Sequence, residues 1–71
     1  MGMSSPTTKA EAREQIAKLQ GEIARAKADL AHHKATATGP SKEYYASMFR
    51  DRIASKKAKI AELRAKIPSL P

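Results

Sequence analysis

The residues of this 71-residue chain with chemical potential are few: an adjacent histidine pair, His32 and His33, a tyrosine pair, Tyr44 and Tyr45, and 14 Lys and Arg set against 7 Asp and Glu. Neighbours on a helix point about 100° apart, so the two histidines cannot chelate one metal. Asp29 lies one turn before His33 and adds at best a two-ligand pair. There is no Cys, which removes thiolate chemistry, disulfides and a zinc cluster together. The serines fall in the leading tail, in a turn or on helix surfaces, without a His–Asp set to activate them. There is no glycine-rich phosphate loop. The expectation is a protein that is no enzyme, with no metal, no cofactor and no small-molecule substrate.

Charge is the remaining chemistry. The formal net charge is +7 and the isoelectric point is about 10.1. Such an excess attracts anionic partners, either nucleic acid or an acidic protein surface. No apolar run approaches the roughly 18 residues that would span a bilayer. Nor does a charged start lead into an apolar leader segment. The pattern for myristoylation at Gly2 would need Ser or Thr at position 6, where Pro6 stands. No membrane partner is expected, and the chain reads as soluble, working inside a cell or as part of a virion or similar assembly.

The elements that position these charges follow from local chemistry. Residues 1–7 are small, polar and aperiodic, and are expected to form a disordered tail. Thr8 and Glu11 have the spacing of a capping box. Between them and about Ala35 run Ala, Lys, Glu, Gln and Leu, all strong helix formers, with Gly21 the one weak point. Thr36 to Ser41 includes Gly39 and Pro40 and reads as a turn, with Ser41 the expected N-cap of a second helix. Lys42 to Ile67 is helical again until Pro68. The spacing therefore predicts helices over 8–35 and 42–67, a turn over 36–41, and a tail over 68–71. The whole of 8–67 forms a single unit.

Heptads set the pairing. Ile16, Ile23 and Leu30 occupy a positions of the first helix, with Leu19, Ala26 and His33 at d. In the second, Ala46, Ile53, Ile60 and Ile67 stand at a, with Phe49, Lys56 and Leu63 at d. Folded back antiparallel, residues whose numbers sum to 79 meet in layers, for example Leu30 with Phe49, Ile23 with Lys56 and Ile16 with Leu63. The midpoint of that register falls between Gly39 and Pro40, the two strongest turn residues. Core spacing and turn chemistry thus select the same all-α fold, a two-helix antiparallel coiled-coil hairpin. Lys56 in the seam is expected to pack its stem and send its ammonium to water.

The register sorts the surface into flanks. At the g positions Asp29 is expected near Arg52, Glu22 near Lys59 and Gln15 near Lys66. At the e positions Lys34 is expected to meet Glu43, and beyond it Arg13, Lys27, Arg50, Lys57 and Arg64 form a basic lane with no cross-helix partner. Tyr44, Tyr45 and Met48 cluster beside the loop as a candidate contact at the hairpin tip. Ala17, Gly21, Ala24, Ala28, Ala31 and Ala35 on the first helix, and Ala54, Ala58, Ala61 and Ala65 on the second, cover the helix backs with small residues.

Fourteen of the apolar residues are Ala, and Ile, Leu and Phe total ten. A single narrow seam of this kind barely offsets the entropy of ordering the chain. The expected role is structural or adaptor work through helix-mediated assembly, with itself or a larger protein. The basic lane would serve an anionic partner. The second reading is a small basic hairpin that binds nucleic acid.

Overall fold

The computed structural model describes residues 5–71, and the readings made for residues 1–4, including Gly2, lie outside them. Helix α1 spans Lys9–Thr36 and helix α2 spans Ser41–Lys66, followed by a 3-10 turn over Ile67–Ser69. The described residues contain no strand. As numbers rise along α1, the residues they meet on α2 fall. Lys9 donates its backbone N–H to the Pro71 carbonyl at 2.8 Å. Glu22 meets Lys56 at 3.6 Å, and His33 Nε2 meets the Lys42 carbonyl at 3.0 Å. The fold is an antiparallel helical hairpin, 50 Å long and 21 by 15 Å across.

Both ends of α1 are closed by local chemistry. The Thr8 hydroxyl accepts the Glu11 N–H at 3.1 Å. Glu11 reaches back one residue further than a standard capping box, accepting from the N–H and the hydroxyl of Thr7 at 2.9 and 3.0 Å. These two bonds, the backbone one first, hold the Glu11 carboxyl below its ordinary value, against a smaller opposing effect of burial. A lowered folded-state value contributes stability that is present above the unfolded value and lost as the pH falls through the folded one. The α1 N-terminus should therefore fray on acidification below the ordinary glutamate range. Amide exchange at Thr7 to Glu11 is expected to accelerate there before exchange at the mid-helix amides does, and Glu11→Gln should abolish that early step.

The turn is tighter than 36–41. Thr36 stays in α1, where its hydroxyl donates to the His32 carbonyl at 2.9 Å, and Ala37 caps the helix by donating to the His33 carbonyl at 2.8 Å. Gly39 has φ of +85°, a left-handed backbone that a side chain would strain. Pro40 sits at φ −61°, ψ −31°, already helical, so α2 begins at Ser41 and no side chain caps it. Ser41 is thus the first helical residue instead of the N-cap, because the proline ring presets the helical φ one position earlier.

The two outer segments differ from the expected tails. Pro6 is buried and Thr7 is held by Glu11, so the ordered chain starts before the helix. At the other end the 3-10 turn half-buries Ile67 and Leu70. Its Ser69 hydroxyl donates to the Lys66 carbonyl at 2.8 Å. Proline at the second position of this turn cannot continue the α-helical hydrogen bonding but is compatible with a tight turn.

The seam is the heptad seam. Ala12, Ile16, Leu19, Ile23 and Ala26 of α1 are buried against Ala46, Ile53, Ile60 and Leu63 of α2. Leu30, Phe49 and Ile67 are half-buried at its ends. Small Ala26 and the larger Ile16, Leu19, Ile23, Ile53, Ile60 and Leu63 share one buried cluster, with Leu30 and Ile67 packed against it.

Candidate interaction surfaces

The basic lane is a surface feature along its full length. Arg13, Lys27, Arg50, Lys57 and Arg64 are all exposed. Among the described residues Arg50 alone of the lane has an ion pair: its guanidinium stands 3.8 Å from Glu43, one heptad earlier on the same helix. Glu43, expected to face Lys34 across the turn, points instead along α2. Both partners are solvated, so the pair contributes little and leaves the lane basic.

The opposite flank is charge-balanced, by pairs other than those expected. Glu22 meets Lys56 at 3.6 Å instead of Lys59, and Lys59 meets Glu62 at 3.3 Å on its own helix. The reason is reach. Lys56 at d lies in the seam with 25% of its side chain exposed, and its stem can carry the ammonium out only toward the g side, where Glu22 waits. Lys59 is then free to take the carboxylate one turn away. Arg52 does not close on Asp29; its guanidinium lies 5.7 Å above the Phe49 ring, a cation–π arrangement. Two shallow hollows mark this flank, one beside Leu19, Lys56 and Glu62 and the other beside Glu22, Asp29 and Arg52.

The tip gathers the rings. His33 packs edge-on to Tyr45 with centroids 5.8 Å apart, and is tilted 5.9 Å from Phe49. Because a carbonyl oxygen only accepts, the His33–Lys42 bond places a proton on Nε2. His33 thus staples the end of α1 to the first turn of α2, a role its d position alone did not show. Tyr44 and Tyr45 are in edge contact at 5.3 Å. Outside this ring packing, Tyr44, Tyr45 and Met48 remain 64%, 48% and 44% exposed, and they are the large apolar side chains that the described residues leave in water.

Among the described residues no three His, Cys, Asp or Glu side chains converge as a metal set would. No helix there is long and apolar enough to cross a membrane. The alanine backs are exposed on both helices, and a Cβ added at Gly21 would meet only open space, so nothing within the hairpin requires that glycine.

Fold and surfaces define a class: a two-helix antiparallel hairpin with one basic flank, one balanced flank and an aromatic tip. Comparison with known protein families, curated proteins and solved structures finds no match to this chain.

Proposed function

We propose that this hairpin is a non-enzymatic structural or adaptor module that works through helix-mediated assembly with protein, its own copies in a four-helix bundle first among them, while its basic flank serves an anionic partner. The observation that carries this reading is the distribution of large apolar side chains. The seam buries six of them in a single row, Ile16, Leu19, Ile23, Ile53, Ile60 and Leu63, while three others stand exposed together at the tip. A core one side chain thick gains little over the entropy of ordering two long helices. Aromatic and Met side chains grouped on a surface are the composition of contact centres. The hollows of the balanced flank adjoin this same side of the molecule, since Tyr45 and Arg52 share the g positions of α2.

Light scattering with circular dichroism, across low to high micromolar protein, tests the assembly. Mass and helicity are expected to rise together with concentration and to change little with salt, because apolar contacts drive the association. Tyr44→Ser with Met48→Ser should shift that rise to higher concentration. A fully helical monomer throughout the range would overturn the assembly reading.

A further inference from the structure

The e positions carry more than the five lane residues. With Lys34 they hold six cations, all exposed: Arg13, Lys27 and Lys34 on α1 and Arg50, Lys57 and Arg64 on α2. The b positions border them on the same side of each helix. On α1 these are Ala10, Ala17, Ala24 and Ala31; on α2 they are Ser47, Ala54 and Ala61, and every one is exposed. Glu43 is the one acid on this flank. Glu11, Glu14, Glu22, Asp29, Asp51 and Glu62 all stand at c, f or g positions. Five of the seven net positive charges of the chain therefore sit on one flank, six cations less Glu43. They rise from a bed of small side chains as two parallel rails, one on each helix.

Resting on the reading that the basic flank takes an anionic partner, we propose that this partner is the phosphate backbone of duplex nucleic acid, bound without regard to sequence. The choice rests on the chemistry the flank has and lacks. It has no bulky apolar side chain to enter a bilayer. It has no aromatic ring among its cations, as a single-strand platform needs for stacking bases. An acidic protein would be expected to find an apolar or aromatic anchor at the centre of the contact, and here the centre is alanine. A second copy offers no matching face, since its acids are interleaved with cations on the other positions. A duplex needs none of these features. It presents closely spaced phosphates on a rigid surface, and small b residues let that surface approach the rails without steric obstruction. From Arg13 to Lys34 the rail is about 30 Å long at about 1.5 Å per residue, the length of about nine base pairs.

A straight rail on a winding duplex reaches some of the phosphates it passes, and three to five contacts give a slope of log affinity against log salt of about −3 to −4.5. Affinity should then fall on the order of 100-fold between about 0.05 and about 0.2 M salt. The test measures anisotropy of a labelled blunt DNA duplex of about two helical turns, with a single strand of the same length, poly-glutamate and phosphatidylserine vesicles as parallel probes. Two variants remove the same charge from opposite flanks: Lys57→Gln with Arg64→Gln, and Lys59→Gln with Lys66→Gln. Dichroism confirms that each stays helical, and light scattering reads assembly in the same samples.

The expected result is duplex binding with the slope above, lowered by about two units and at least tenfold weaker in the Lys57, Arg64 variant, and changed far less in the Lys59, Lys66 variant. Equal losses in both variants would overturn the proposal, because bulk charge would then account for binding. Tighter binding of the single strand or of vesicles would overturn it too. Poly-glutamate binding of equal strength and equal sensitivity to Lys57 and Arg64 would leave the anionic-partner reading standing and remove nucleic acid as the partner. No binding to any probe, with assembly intact, would end both readings of the basic flank without touching the assembly reading.

Discussion

Leu63→Ala should lower the melting temperature of the hairpin by at least about 8 °C, at about 4–8 °C per kcal/mol for a domain of this size. Leu63 is fully excluded from solvent, and it shares one buried cluster with Ile16 in a seam only one layer deep. Truncating a buried leucine costs about 2–5 kcal/mol, the transfer of its methyl groups plus the void they leave. A chain of about this length has a total stability of about 4–10 kcal/mol at the usual per-residue scale, so one substitution removes a large part of it. The void cannot be filled from a second layer, because the outer faces of both helices are alanine, Lys, Arg and Glu. Thermal melts followed by helical dichroism, at fixed protein concentration, read the effect. Lys18→Ala is the control: its side chain is exposed on α1, and its melt should stay close to that of the parent. A Leu63→Ala melt within a few degrees of the parent would show that the seam is not what holds the helices together.

The second large effect has the opposite sign. Lys56→Leu should raise the melting temperature. Lys56 interrupts an otherwise apolar seam between the Ile53 and Ile60 layers, and its ammonium escapes to a partly exposed contact with Glu22. Losing that contact costs at most about 1 kcal/mol, as for other solvated pairs. Burying a leucine in the same place returns about 1.5–3 kcal/mol when burial is complete, and somewhat less here. A net gain of about 1 kcal/mol corresponds to a rise of about 4–8 °C for a domain of this size. The lysine persists at a cost to stability, and a polar residue in a helical seam commonly restricts register and the number of helices that join. The variant should therefore also broaden the mass distribution seen by light scattering. A lower melting temperature would instead mean that the Lys56–Glu22 pair outweighs apolar burial. Glu22→Gln, which removes the pair and keeps the lysine, separates the two contributions.

Much of this structure is legible in the residues. The alternation of threes and fours from Ile16 to Leu30 and from Ala46 to Ile67 selects the buried faces, and the sum of 79 that pairs them points at Gly39 and Pro40 without any further assumption. These features are backbone and volume effects. They depend on residue type and spacing, which a sequence states directly. The exposure of the basic lane has the same origin, because e positions flank a seam that must close.

The ion pairs are not legible to the same degree. Heptad position pairs Glu22 with Lys59, yet it bonds to Lys56; it pairs Glu43 with Lys34, yet that carboxylate turns to Arg50. Long charged side chains have several partners within reach, each worth little, and burial of their stems decides among them. His33 is a similar case. Its d position announces packing, while its hydrogen bond to the Lys42 carbonyl depends on where the turn ends and which way the ring faces.

By itself the sequence determined the two helices, their antiparallel register, the position of the turn and the flank on which the charge gathers, since periodicity and turn stereochemistry act locally and repeat along the chain. Only the tertiary structure decided three things. It half-buried Leu70 and brought the Pro71 carbonyl to the Lys9 N–H; it gave the Lys56 ammonium to Glu22; and it joined the His33 ring to the Lys42 carbonyl. Each of these depends on how far a side chain or chain end must travel to meet a partner distant in sequence, and that distance exists only once the two helices lie side by side.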